Sequence, residues 1–253
     1  MVLLINKGMG KVHAFVLFWE YNHMIKQSSL IFLVCLTACA TFTPIPISQE
    51  RTSMTSIRYL ALGDSYTIGE SVDETNRWSN QLARSMETYG YQTDVTIIAK
   101  TGWTTDELWQ GIQASERTPP YDLVSLLIGV NNQYRGRDAD EYRRQFVFLL
   151  NKSIEYAGGN AKRVFVLSIP DWGVTPFASG RDAAQIAKDI DLFNSINCEE
   201  TEKVGACYVD ITPISREAIN DPSLIAGDGL HPSGKMYAMW AELSLPKVLE
   251  ILK

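Results

Sequence analysis

Ile57-Arg58-Tyr59-Leu60-Ala61-Leu62 runs directly into Gly63-Asp64-Ser65-Tyr66-Thr67-Ile68-Gly69. A short apolar run cut off by glycine and followed by Asp and Ser reads as a strand that ends in a tight turn and opens a helix. Runs of the same character recur at Val95 to Ala99, Leu123 to Ile128, Val164 to Ile169 and Tyr208 to Ile211. Their nearly continuous apolar character suits strands covered on both faces. Between them lie amphipathic stretches of helical length: Trp78, Leu82 and Met86 in one, Tyr142, Phe146, Leu149 and Leu150 in the next, Ile186, Ile190, Phe193 and Ile196 in a third. A last helix is expected to open at Pro232, with Pro246 bending or splitting it near the end. Strands alternating with helices predict one α/β domain over 57–253, a three-layer α/β/α sandwich on a five-stranded parallel sheet.

The composition agrees. The chain has 253 residues, 45% apolar and 21% charged, which suits a globular fold and excludes a disordered or collagen-like one. Lys and Arg total 23 against 29 Asp and Glu, a formal charge of −6 that is a poor basis for gripping phosphates, so no nucleic-acid partner is expected.

The first residues have a different purpose. From Met24 the chain shows a short basic region, the apolar run Leu30 to Leu36, and Leu36-Thr37-Ala38-Cys39. That is the layout of a secretory signal, and its apolar stretch is too short to span a membrane. Leu-Thr-Ala-Cys resembles the bacterial lipobox, in which the cysteine is acylated and becomes the new N-terminus. Residues 1–38 are therefore expected to be a leader, with 1–23 an over-long start. Cys39 is the expected lipidation site and membrane anchor in the bacterial cell envelope, with plain secretion as the alternative. Residues 39–56, rich in Thr, Ser and Pro, read as a tether. Removing Lys7, Lys11, Lys26 and Glu20 leaves 20 basic and 28 acidic residues, a charge of −8, and His231 as the sole histidine.

In an open parallel sheet, active sites form at the carboxyl ends of the strands. Ser65 stands at the first such end, either as an exposed nucleophile or as an ordinary helix cap. Asp228-Gly229-Leu230-His231-Pro232 stands before the last helix. A serine nucleophile needs a base, commonly a histidine oriented by a carboxylate, and Asp228 is near enough for a turn to bring it to the ring. A capping histidine is the plain alternative. After the second and third strands, Gly102 offers an unobstructed N–H and Asn131 a side-chain amide, the donors an oxyanion requires; each taken singly is a common turn residue.

Together, these blocks closely resemble the SGNH/GDSL hydrolase superfamily, over roughly Ile57 to Leu252 and in family order. The resemblance implies a flavodoxin-like fold and a catalytic triad of Ser65, Asp228 and His231. It also implies an oxyanion hole from the Ser65 N–H, the Gly102 N–H and the Asn131 side chain, with no metal and no organic cofactor. Tyr66 departs from the family's leucine, and Asn132 from the aspartate that often follows the asparagine. The implied activity is hydrolysis of a small-molecule, lipid or acylated-glycan ester through an acyl-serine. Short-chain acyl esters, lysophospholipids and thioesters lead, with carbohydrate O-acetyl esters as the alternative. A non-catalytic glycan- or lipid-binding lipoprotein is the reading from another class, and a metal phosphoesterase using Asp64, Asp228 and His231 is a weaker third.

Trp103, Tyr134, Trp172 and Phe177 lie on or near the strand-end loops, either as a substrate pocket or as ordinary packing. Arg135 and Arg137 either meet an anionic substrate group or solvate a loop. Cys198 and Cys207, nine positions apart, form either a disulfide or two buried thiols.

Overall fold

The computed structural model describes residues 53–253. The leader, Cys39 and most of the tether lie outside the described residues. The strands are β1 (Thr55–Gly63), β2 (Tyr91–Ala99), β3 (Leu123–Leu127), β4 (Val164–Leu167) and β5 (Cys207–Val209). All neighbours are parallel, in the order β2-β1-β3-β4-β5. The helices are α1 (Ser65–Ile68), α2 (Trp78–Glu87), α3 (Thr105–Ala114), α4 (Val130–Tyr134), α5 (Ala139–Tyr156), α6 (Ala183–Lys203), α7 (Thr212–Arg216) and α8 (Gly234–Ile251). α2 packs on α8, and α5 packs on both α3 and α6, so helices sandwich the sheet.

The apolar stripes read from the sequence are the ones that become buried. Trp78, Leu82 and Met86 of α2, Tyr142, Phe146, Leu149 and Leu150 of α5, and Ile186, Ile190, Phe193 and Ile196 of α6 all enter one core with the sheet. The caps are local. Asp138 accepts from the Asp140 and Glu141 N–H groups to start α5. Thr104 and Glu107 form a capping box on α3, and Asp182 accepts from Gln185 N–H at the head of α6.

The elements differ from expectation in detail, β5 for example being Cys207–Val209 rather than Tyr208 to Ile211. β2 begins at Tyr91 rather than Val95, because backbone pairing with β1 runs in register from Thr55↔Tyr91 to Gly63↔Ala99. Gln92, Thr93 and Asp94 are tolerated there because β2 is an edge strand. α8 starts at Gly234, two residues after Pro232, with the Ser233 hydroxyl accepting from Met236 N–H. Pro246 does not split α8, which runs on to Ile251. Among the described residues no helix is long and apolar enough to cross a membrane.

The order of the sheet places the site. The chain leaves β1 for the β2 edge, then returns to pair β3 on the other side of β1, so β1 and β3 flank the point where the winding reverses. Crevices for ligands open outside the carboxyl ends of the strands at such a point.

Candidate active site

The turn from β1 into α1 is too tight for any residue but glycine at position 63. A Cβ there would lie 2.1 Å from Thr67 Oγ1 and 2.4 Å from the Leu127 carbonyl oxygen. Asp64 follows, and its carboxylate accepts from Tyr66 N–H at 3.0 Å, which caps the short helix and leaves Ser65 as its first residue. The N–H groups of a first helical turn have no intrahelical acceptor, so the Ser65 N–H is available beside its own hydroxyl. Ser65 is only 4% exposed and faces a cavity shared with His231, Gly102 and Asn131.

Asp64 is 1% exposed, and burial pushes its carboxyl up to about 7 against the hydrogen bond from Tyr66 N–H. An acid with a raised folded-state pKa holds a proton that the unfolded chain has already lost. Stability therefore falls as pH rises from about 4 to about 7. The difference from the ordinary 3.8 corresponds to about 4 kcal/mol, an order-of-magnitude figure. Asp64→Asn keeps an acceptor for Tyr66 N–H without the charge. Urea unfolding is expected to find it as stable as wild type near pH 4 and more stable by about 2–4 kcal/mol near pH 8. Equal stability at both pH values would refute the buried-charge account.

The Asp228 turn is built to orient an imidazole. Asp228 Oδ1 accepts from Leu230 N–H at 2.9 Å and from His231 N–H at 3.0 Å, while Oδ2 lies 2.6 Å from His231 Nδ1 and accepts from the Ser71 hydroxyl at 2.7 Å. Partial burial opposes the charge on Asp228, but these bonds, led by that to His231, outweigh it and hold the carboxyl far below the usual range. The loop is pinned by Ala226 N–H donating to the His231 carbonyl at 2.7 Å, and by the Phe177 N–H donating to the Gly229 carbonyl at 2.9 Å. Tyr66, which takes the place of the family's leucine, packs its buried ring 5.4 Å from the imidazole and 6.3 Å from Trp240. It therefore supports the ring of His231.

Gly102 and Asn131 come from the two strands flanking β1. Gly102 has φ +85°, a left-handed conformation that glycine adopts without strain. Asn131 Nδ2 donates to the Trp103 carbonyl at 2.9 Å, which uses one of its two amide hydrogens and leaves the other for the cavity. Before it stands Gly129 at φ +127°, where a Cβ would lie 2.4 Å from the Tyr142 hydroxyl. Asn132 is fully buried; it accepts from Thr105 N–H at 3.1 Å and donates to Thr105 Oγ1 at 2.8 Å, locking the β3 loop to the head of α3. This is a structural use of the second departure from the family pattern.

Three of the four aromatic candidates line the cavity. Tyr134, Trp172 and Phe177 form its apolar wall with Val130 and Leu230. Trp172 and Tyr134 meet edge to face at 5.3 Å, and Trp172 Nε1 donates to Gln133 Oε1 at 2.8 Å. Trp103 does not join them. Its ring lies where a side chain at Gly111 of α3 would be, within 2.1 Å of that residue's would-be Cβ, and it faces a separate hollow with Ile97 and Glu116.

Both arginines have protein partners. Arg135 donates to the Gly102 carbonyl at 2.7 Å and pairs with Glu107 at 3.3 Å, so it braces the Gly102 loop. Arg137 is bound to Asp106 at 2.7 Å. Cys198 and Cys207 are free thiols rather than a bridge; Cys198 contacts Glu202 at 3.6 Å, and Cys207 lies 4.0 Å from the Tyr208 carbonyl oxygen. Among the described residues no three His, Cys, Asp or Glu side chains converge as a metal site; the Asp64 carboxylate is instead engaged by the α1 backbone. Two contributors had no signal in the local sequence: Ser71 on Asp228, and Arg181, whose guanidinium lies over the Tyr134, Trp172 and Phe177 rings at 5.1 to 5.5 Å.

A serine at a strand-to-helix turn, an Asp-paired histidine and two donor loops, all at one end of a parallel sheet, define a hydrolase of the α/β class. The family model of the GDSL-like lipase/acylhydrolase family matches residues 61–239, and the chain belongs to that family. No curated protein sequence matches it significantly. Solved structures that resemble it include a member of the lipolytic protein G-D-S-L family from Veillonella parvula, 18% identical over 75% of this chain and 96% of that one, with a TM-score of 0.59. An acetylxylan esterase from Geobacillus stearothermophilus is 17% identical over 78% and 96%, with a TM-score of 0.61. The esterase EstA from Pseudoalteromonas sp., in a structure inhibited by monoethylphosphonate, is 15% identical over 77% and 98%, with a TM-score of 0.61. At such identities these likenesses show the fold; family membership supports ester hydrolysis.

Proposed function

We propose that the protein is a serine esterase for short acyl groups. The observation that carries this reading is that Ser65 and His231, the latter paired with Asp228, line one cavity of about 150 Å³ whose walls are mostly apolar. Asp228 holds the proton on Nδ1, so Nε2 is left to accept the Ser65 hydroxyl proton as Oγ attacks the ester carbonyl carbon. The Ser65 and Gly102 N–H groups and the Asn131 amide stabilise the tetrahedral oxyanion. On collapse the leaving alkoxide takes the proton from His231. Water, deprotonated by the same nitrogen, then attacks the acyl-serine and releases the acid and the free hydroxyl.

The cavity limits the substrate. A volume of about 150 Å³ is that of an apolar cavity that accepts benzene, so it accommodates an acyl or aryl group of about six carbons. With a series of p-nitrophenyl esters, kcat/KM is expected to rise from acetyl to hexanoyl and to gain nothing further by dodecanoyl, because methylenes outside the cavity forgo the about 0.8 kcal/mol that burial of each contributes. A rate that rises through dodecanoyl would replace this reading with a lysophospholipase or long-chain thioesterase. Carbohydrate O-acetyl ester hydrolysis is the second reading, favoured by the small cavity and by Tyr134 and Phe177, which are 44% and 43% exposed at its rim, where a sugar ring can stack. Greater kcat/KM on acetylated xylooligosaccharides than on p-nitrophenyl butyrate would select it.

A further inference from the structure

We infer that Ser71 is a positioning residue that ties the triad's acid to the nucleophile's own turn. Ser71 is the one non-glycine residue with positive φ among the described residues, at +66°. That conformation is uncommon for a side chain bearing a Cβ, and it persists where the surroundings hold it. Here they hold it from one end: the Ser65 carbonyl accepts both the Gly69 and the Glu70 N–H, each at 3.0 Å, and Val72 N–H closes on the Gly69 carbonyl at 3.3 Å. The turn hangs from the nucleophile residue and curls so that the Ser71 hydroxyl donates to Asp228 Oδ2 at 2.7 Å, across 157 positions of sequence. On the way Glu70 accepts a hydrogen bond from Thr101, the neighbour of Gly102. One three-residue turn thus touches the nucleophile, the oxyanion loop and the acid.

Ser71 donates to the same carboxylate oxygen that faces His231 Nδ1. It therefore fixes the direction of that oxygen and neutralises part of its charge. Without the hydroxyl, Oδ2 attracts the imidazole proton more strongly, so the protonated, inactive form of the base persists to higher pH. Tyr66, whose ring packs on the imidazole, has buried Asp64 at the head of α1 and Asp171 after β4 in its surroundings, Asp171 being paired with Arg216 at 2.9 Å, and Glu70 lies on the same turn as Ser71. All three remain in a Ser71 variant, so their effects cancel in a comparison with wild type. Tyr66, against the imidazole, stays neutral through burial.

This inference rests on the serine-esterase reading, and the experiment separates the two. The kcat/KM profile for p-nitrophenyl butyrate is measured from pH 5 to 9 for wild type, Ser71→Ala and Ser71→Gly, with thermal melting as the control. Ser71→Gly removes the hydroxyl and relieves the positive φ, whereas Ser71→Ala removes the hydroxyl alone. Both are expected to lose about tenfold in plateau kcat/KM, with the acidic limb displaced upward by about half a unit, whatever their relative melting temperatures. Wild-type rates in both variants, or a loss with an unshifted acidic limb, would overturn the positioning role. So would a loss in Ser71→Ala that Ser71→Gly restores, since the backbone and not the hydroxyl would then matter. Absence of turnover in wild type itself would instead overturn the esterase reading.

Discussion

Replacing Ser65 by alanine is expected to lower kcat on a short p-nitrophenyl ester by on the order of 10⁴ to 10⁶, with the fold unchanged. The backbone contacts of Ser65 do not depend on its side chain: its carbonyl still accepts from Gly69 and Glu70, and its N–H still faces the cavity. The remaining activity would come from the oxyanion donors and the bound base acting on water. The residue is also too small and too close to the cavity for its loss to leave a void in the core. Steady-state kinetics with matched melting curves check this, and turnover within tenfold of wild type would remove Ser65 from the mechanism.

Asp228→Asn is expected to lower kcat by on the order of 10³ to 10⁴. The cause lies in which atom goes where. The Leu230 and His231 N–H groups both point at Oδ1 and demand an acceptor there, so the amide oxygen of the asparagine must take that place. Its NH₂ then occupies the position of Oδ2, where it faces His231 Nδ1 and the Ser71 hydroxyl. Nδ1 becomes an acceptor, the ring carries its hydrogen on Nε2, and Nε2 then has no lone pair with which to take the Ser65 proton in the proposed mechanism. A loss of less than tenfold would mean that Asp228 only shapes its turn.

The sheet was legible because its central strands are covered on both faces, so Leu123 to Leu127 and Val164 to Leu167 appear as unbroken apolar runs. The first half of β2 was not, because an edge strand needs only backbone pairing and carries Gln92 and Asp94 at no cost in buried charge. That Ser65, Gly102, Asn131 and His231 share one cavity, with Asp228 paired to His231, was legible because each sits at a strand end or a fixed turn. Which of its two readings Trp103 would follow could not be told from the loop it sits on, because the cue for its direction, a glycine in mid-helix at 111, lies on another element. The partners of Arg135 could not be read from sequence, because Glu107 and the Gly102 carbonyl lie on other elements. Ser71 gave no sign at all, since its conformation follows from a turn and its partner lies far along the chain.

In the proposed mechanism Ser65 is an activated nucleophile. A fluorophosphonate transfers its phosphonyl group to a serine oxygen whose proton is removed by a neighbouring base, with fluoride as the leaving group. Intact mass after labelling, followed by peptide mapping, is expected to find one phosphonyl adduct per chain, on Ser65, lost in Ser65→Ala and much slower in His231→Ala. An unlabelled protein that still hydrolyses esters, or an adduct on another residue that survives Ser65→Ala, would contradict it.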